Sequence, residues 1–167
     1  PYTVKEVLPA REGEKAKRMI LEFDLEPGES VQIKVALSTV GIEGAQSALL
    51  TESLDWDFEA VKKESQDLWR ELLSKVSVSG TKEQKTNFYT SLYHLYIQPN
   101  DIADIDGKYR GVNDSVFVSK SGTYYSTFSL WDTYRAAHPL YTILIPKRVP
   151  GMINSLLDYQ KVQGHLP

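Results

Sequence analysis

Near residue 40 the spacing of the apolar side chains changes. Before it, Met19, Leu21 and Phe23 and then, past Glu26-Pro27-Gly28-Glu29, Val31, Ile33, Val35 and Leu37 fall on every second position, as strands with one buried face require. After it they fall at steps of three and four, the period of a helix. The pattern predicts a hairpin over residues 17–37, joined by residues 2–8, with helices from there to the end. Two or three strands with one apolar face do not make a stable unit alone. They must pack on something, and the rest of the sequence offers no obvious second sheet.

The helical part divides into segments with their own start and stop signals. Residues 45–52 form a short candidate. A longer one over 57–75 carries Phe58, Val61, Leu68, Trp69 and Leu72 on one side of a charged remainder, the pattern of a connector buried on one face. Thr81-Lys82-Glu83-Gln84 has the form of a capping box, in which the threonine hydroxyl and the glutamine side chain satisfy each other's open backbone amides. It opens a helix with Phe88, Leu92 and Leu95 on one stripe, Tyr89, Tyr93 and Tyr96 beside it, and Pro99 at its end. Residues 100–121, rich in Asp, Gly, Asn and Ser, read as an ordered loop with short strands such as 115–119. Ser129-Leu130-Trp131-Asp132 fits a second capping box, and His138-Pro139 sets the far limit of that helix. The last helix has Pro150 at its start, an apolar side from Met152 to Tyr159, and Gly164 as its C-terminal cap. On it, Asp158 reads as a solvated acid.

Composition removes several classes of function. The 167 residues, 41% of them hydrophobic, suffice for one packed domain and limit the count to one or two. A formal net charge of −3 spread over mixed acids and bases gives no nucleic-acid or acidic-lipid footprint. With no cysteine, thiolate metal sites, disulfides and cysteine nucleophiles are excluded. No apolar run approaches the roughly 20 residues that span a bilayer, and no signal peptide opens the chain. It begins at Pro1 instead of methionine, which reads as a processed product or an excised piece.

Five features invite chemistry. In DIADIDGKYRG, Asp101 to Gly111, acids alternate before a glycine as in a calcium loop. With Gly107 as sixth residue, however, Ile102 takes the first ligand position and Asn113 the twelfth, where the bidentate glutamate belongs. The competing reading is a turn held by Asp side chains on backbone amides. His94, His138 and His165 lack metal-ligand spacing, and Ser126 and Ser129 lack the glycine-flanked turn of a hydrolase nucleophile and read as caps. Asn113-Asp114-Ser115 is a glycosylation sequon, a motif common by chance. The densest aromatic cluster, YYSTFSLWDTYRAAHPLY, surrounds one acid and one arginine. On a helix Phe128, Trp131 and Arg135 share a face, with Asp132 one position round and three residues from Arg135. That is either an amphipathic helix with an Asp-Arg pair at its edge or an indole and a carboxylate facing a cleft. In the second case the ring covers the C–H face of a sugar and the carboxylate accepts from neighbouring hydroxyls.

The stretches STVGIEGAQSALLTE, WDFEAVKKESQDLWRELLSKVSVSG, FYTSLYH, DIDGKYRG and TFSLWDTYRAAHPL run in collinear order over most of residues 38–167. With them the chain resembles glycoside hydrolase family 92, the calcium-dependent exo-acting α-mannosidases. The resemblance implies an α+β piece of a larger fold: the last strands of a β-sandwich (residues 1–40), a helical linker (41–80) and the first helices of an (α/α)6 barrel (81–167). It implies an inverting hydrolase of terminal α-linked mannose, with α-1,2 the expected linkage, periplasmic, cell-surface or secreted in a bacterium. It gives Trp131 and Asp132 a substrate-binding role with Arg135 as orienting partner, and puts Asp104, Asp106 and Arg110 near the site. The catalytic acid, the catalytic base and the Ca2+ ligands are expected outside this chain, whose partners would be a mannose-containing glycan and the rest of the parent polypeptide. A non-catalytic carbohydrate-binding or structural module is the alternative.

Overall fold

The computed structural model describes residues 2–9, 17–52, 55–126 and 130–167, and divides into two compact units that meet between Ile33 and Lys34. In the first unit β1 (Tyr2–Pro9) pairs antiparallel with β2 (Lys17–Phe23), setting Tyr2 opposite Phe23 with ring centroids 5.9 Å apart. The register shifts between Val4 and Glu6, where an extra residue breaks the strict alternation of faces. The turn at Glu26–Glu29 forms as its residues predict. The Glu29 amide donates to the Glu26 carbonyl at 3.0 Å, and Gly28 takes a φ of 95° that other residues disfavour.

The hairpin expected over residues 17–37 does not form. The partner of β2 is Tyr2–Pro9, and residues 31–38 carry no strand pairing. Their alternating apolar side chains stand in solvent, Val35 at 76% and Leu37 at 89% exposure. The pattern identifies residues suited to a half-buried strand, but a strand exists only where another backbone meets its amides and carbonyls.

The second unit holds six helices and one small sheet among the described residues: α1 (Ile42–Glu52), α2 (Phe58–Leu73), α3 (Lys82–Ile97), β3 (Lys108–Arg110), β4 (Val116–Val118), α4 (Leu130–Thr133), α5 (Ala137–Leu144) and α6 (Val149–Gln163). None is long and apolar enough to cross a membrane. Asp57 caps α2 by accepting from the Ala60 amide, and Thr81 and Gln84 close both halves of the capping box on α3. Gly164 ends α6 in the left-handed region at φ 82°. His138 and Pro139 do not limit the helix before them. The helix ends at Thr133, and the pair lies in the first turn of α5, where a proline's missing N–H is no loss.

Leu92, Tyr96, Tyr141, Ile145 and Met152 form the core, with Trp69, Leu72 and Leu73 packed on it from α2. The Tyr141 hydroxyl lies 2.8 Å from the Leu95 carbonyl and 2.9 Å from that of Gln98, so this core tyrosine meets the open C-terminal end of α3. The apolar side read for α2 is half correct. Its C-terminal turn packs, whereas Phe58, Val61 and Leu68 remain exposed. On α3 the buried line runs through Leu92 and Tyr96, leaving Phe88 and Tyr93 at the surface. Asp158 is not fully solvated: its side chain is 25% exposed and accepts from Lys161 at 2.7 Å.

Candidate functional site

Two segments contain the sequence-predicted site residues, the loop from Asp101 to Asp114 and helix α4. In the loop, backbone and acids close on each other. The Asp101 carboxylate accepts from the amides of Ala103 (3.2 Å) and Tyr124 (2.9 Å), and that of Asp106 from the Lys108 amide (3.1 Å) and ammonium (2.6 Å). The Lys108 ammonium beside it holds the Asp106 carboxyl below the usual carboxylate range, and that bond holds Lys108 above its own. Gly107 supplies the tight bend at φ 79°, donating to the Asp104 carbonyl at 2.8 Å. These are the turns that Asp side chains make on backbone amides.

Asp104 and Arg110 reach farther. The Asp104 carboxylate accepts from the Ser38 hydroxyl at 2.7 Å. The Arg110 guanidinium donates through Nε to the Thr39 carbonyl (2.6 Å) and through Nη2 to that of Val40 (2.9 Å). Its Nη1 donates to the carbonyl and carboxylate of Asp114, at 2.8 and 3.1 Å. All three of its nitrogens therefore donate to the protein.

Behind the loop, β3 and β4 bring Tyr109 against Tyr124, their rings stacked 3.7 Å apart and within 7° of parallel. Both are buried. Burial first, then the Asp158 charge and the neighbouring Tyr124, push the Tyr109 hydroxyl up to about 12. Tyr124 is raised by burial and by Asp158 as well. From this stack the chain runs to α4 by way of Tyr125, whose amide donates to the Ser155 hydroxyl at 2.9 Å, and Ser126. Ser126 is no helix cap: its amide donates to the Asn100 carbonyl at 2.6 Å and its hydroxyl accepts from the Asn100 amide at 3.0 Å.

Helix α4 has the opposite character. It is one turn long, and Leu130 with Tyr134 lines an apolar pocket of about 400 Å³ completed by His138, Thr142 and Met152. Trp131 stands 83% exposed and Asp132 is exposed beside it. Among the described residues Asp132 makes no ion pair. Arg135, past the end of the helix, donates to the Tyr134 hydroxyl at 3.2 Å. The expected Asp132–Arg135 edge pair does not form, because the helix stops before three-residue spacing can align them. Phe128 and Ser129, assigned to the same face and to its cap, lie outside the described residues.

Among the described residues no three His, Asp or Glu side chains gather as a cation's shell would. The described residues do not fit a calcium site. Sequence reasoning missed the Ser38–Gly41 segment as the partner of the loop. Its signal, the TVG run just before a helix, reads locally as an approach to a helix start and gives no hint of a partner more than sixty residues away.

With this geometry in view, comparisons with known proteins agree among themselves. The model of the glycosyl hydrolase family 92 catalytic domain matches residues 44–167. The family GH92 alpha-mannosidase BT3965 of Bacteroides thetaiotaomicron superposes with a TM-score of 0.74 at 32% identity, over 78% of this chain and 18% of that one. The same protein has been solved in complex with mannoimidazole. The inverting mannosidase BT2199 of the same species superposes with a TM-score of 0.79 over 99% of this chain and 25% of its own, at 23% identity, a likeness of fold. The chain thus spans 18% to 25% of the length of these relatives. No curated protein matches it.

Proposed function

The chain belongs to glycosyl hydrolase family 92, and from that premise we propose that it supplies one wall of the mannose subsite of an inverting exo-α-mannosidase. The observation that carries the reading is the side-by-side exposure of Trp131 and Asp132 on α4, within the segment that the family model matches.

An indole offers a flat apolar face to the C–H side of a pyranose, while its negative face attracts the ring's polarised hydrogens. A carboxylate one position round accepts from two adjacent hydroxyls and thereby fixes the orientation of the sugar on the ring. Arg135, held by Tyr134, stands beside them as a positive group that a sugar or the Asp132 carboxylate can meet. Asp104, Asp106 and Arg110 are left out of sugar contact in this reading, because each is engaged with groups of the chain itself.

Inversion takes one acid that protonates the leaving oxygen and one carboxylate that activates water on the other face of the ring. Both, with calcium and its ligands, are proposed to come from other parts of a longer polypeptide, and so is the choice of an α-1,2 linkage. In this division of roles Trp131 and Asp132 bind and orient, while others transfer protons. The test is release of mannose from an aryl α-mannoside by the purified chain, with and without calcium, beside an Asp132→Ala control. No turnover above the control is expected. Turnover above it would put the proton-transferring groups within these residues.

A further inference from the structure

Helix α1 poses a question of attachment. None of its side chains is fully buried, and only Ala45, Ala48 and Leu49 are half-buried, so apolar packing alone holds it weakly. Its N-terminal approach is held instead by polar contacts from the Asp101–Asp114 loop. The Ser38 hydroxyl accepts from the amides of Val40 (2.9 Å) and Gly41 (3.1 Å) and donates to the Asp104 carboxylate at 2.7 Å. That uses the donor and both acceptor sites a hydroxyl has. Arg110 takes the next two carbonyls, those of Thr39 and Val40. Three consecutive residues are thus gripped by two side chains of one loop.

The third part is Gly44, in the first turn of α1. A Cβ there would overlap the Asp104 carboxylate and lie 2.7 Å from the Ser38 hydroxyl. The carboxylate therefore occupies the place of a side chain on α1. Glycine is a poor helix former, and here its bare Cα leaves room for the acid.

We propose that Asp104, Arg110 and Gly44 form a latch that fastens residues 38–41 and the start of α1 to the Asp101–Asp114 loop, so that α1 is a separately releasable element. The latch also sets the opening of a cleft of about 760 Å³ that Leu37, Ala48 and Leu49 line on one side and Ile102, Asp104 and Ile105 on the other. The inference goes beyond the sugar reading and does not depend on it. Its geometry defines a coupled system: Gly44→Ala must displace both the carboxylate and the Ser38 hydroxyl while Asp104 is present, and only the hydroxyl once Asp104 is gone.

The experiment is hydrogen–deuterium exchange on the full chain, for the native sequence, Gly44→Ala, Asp104→Ala, the double variant and Arg110→Lys. Lysine keeps the charge but cannot reach two carbonyls and Asp114 together. In Gly44→Ala and Arg110→Lys, peptides covering 38–52 should exchange about tenfold faster, while those covering 141–157 in the core keep their rates. In the Asp104→Ala background, adding Gly44→Ala should accelerate exchange at 38–52 by clearly less than in the native background, since only the Ser38 hydroxyl is left to displace and alanine is the better helix former. Three results would overturn the latch: native rates at 38–52 in Gly44→Ala, an equal effect of that substitution in both backgrounds, or core peptides that accelerate in step with α1.

Discussion

The Asp101–Asp114 loop and helix α4 are both rich in polar and aromatic side chains, and they direct them in opposite ways. In the loop, Asp101, Asp104, Asp106 and Arg110 turn to the chain's own amides, carbonyls and hydroxyls, and Tyr109 is buried against Tyr124. On α4, Trp131 and Asp132 turn to solvent. A motif dense in acids is thus no guide to a binding surface by itself. What separates the loop acids from Asp132 is whether groups of the chain itself already hold them.

That contrast predicts different responses to mutation. The largest is expected at Arg110. Its removal leaves the carbonyls of Thr39 and Val40 without their donors, and Arg110→Ala should cost roughly 2–3 kcal/mol, the lower part of the range for several charge-assisted bonds because the guanidinium is partly exposed. Arg135→Ala, which loses a contact to an exposed tyrosine, should cost less than about 0.5 kcal/mol. Urea unfolding of the two variants side by side measures the difference, and equal midpoints would erase the distinction between loop and helix.

A smaller effect follows from Tyr109. Its hydroxyl is raised to about 12 in the folded chain, above the ordinary value near 10. The neutral form is the one the fold favours, so its contribution is full below about pH 10 and is lost as pH rises from there towards 12. Stability should fall across that window by up to roughly 2 kcal/mol from this group, and Tyr109→Phe should flatten that part of the profile. Asp158→Asn should narrow the window, since the Asp158 charge is one cause of the shift. Thermal midpoints from pH 9 to 12 would show both effects, and an unchanged slope in Tyr109→Phe would assign the alkaline loss to other tyrosines. The smallest effect is expected at Asp106, an exposed acid whose partner Lys108 is its neighbour but one. Asp106→Asn should leave the thermal midpoint where it was.

The sequence made local features legible. The capping box at Thr81, the turn at Gly28 and the left-handed cap at Gly164 all follow from two to four adjacent residues, because each concerns backbone groups within one turn. The family was legible too, through motifs such as FYTSLYH and TFSLWDTYRAAHPL. The partner of β2 was not. Both Tyr2–Pro9 and residues 31–37 have strand-forming side chains, and alternation cannot say which of two suitable neighbours pairs. The exposed half of α2 was misread for a related reason: its periodic stripe states what the residues suit, while burial depends on what lies opposite. The sequence names candidate site residues but not how they are arranged. Nothing local to Asp104 or Arg110 points to Ser38–Val40, and nothing local to Trp131 reveals that its helix ends at Thr133.

The central claim is that Asp132 is a sugar-binding carboxylate and not a helix edge, and kcat/KM tests it most directly. The measurement compares Asp132→Ala with Asp67→Ala in a polypeptide that contains these residues and hydrolyses an aryl α-mannoside, after circular dichroism has established that both variants are folded. Asp67 is also an acid on a helix, but it is held by Lys63 and Arg70 on its own helix. Loss of charge-assisted bonds to sugar hydroxyls should lower kcat/KM for Asp132→Ala about ten- to a hundredfold, with Asp67→Ala near the parent. Near-parental activity in Asp132→Ala would contradict the account and leave Trp131 and Asp132 as the solvent edge of a short helix.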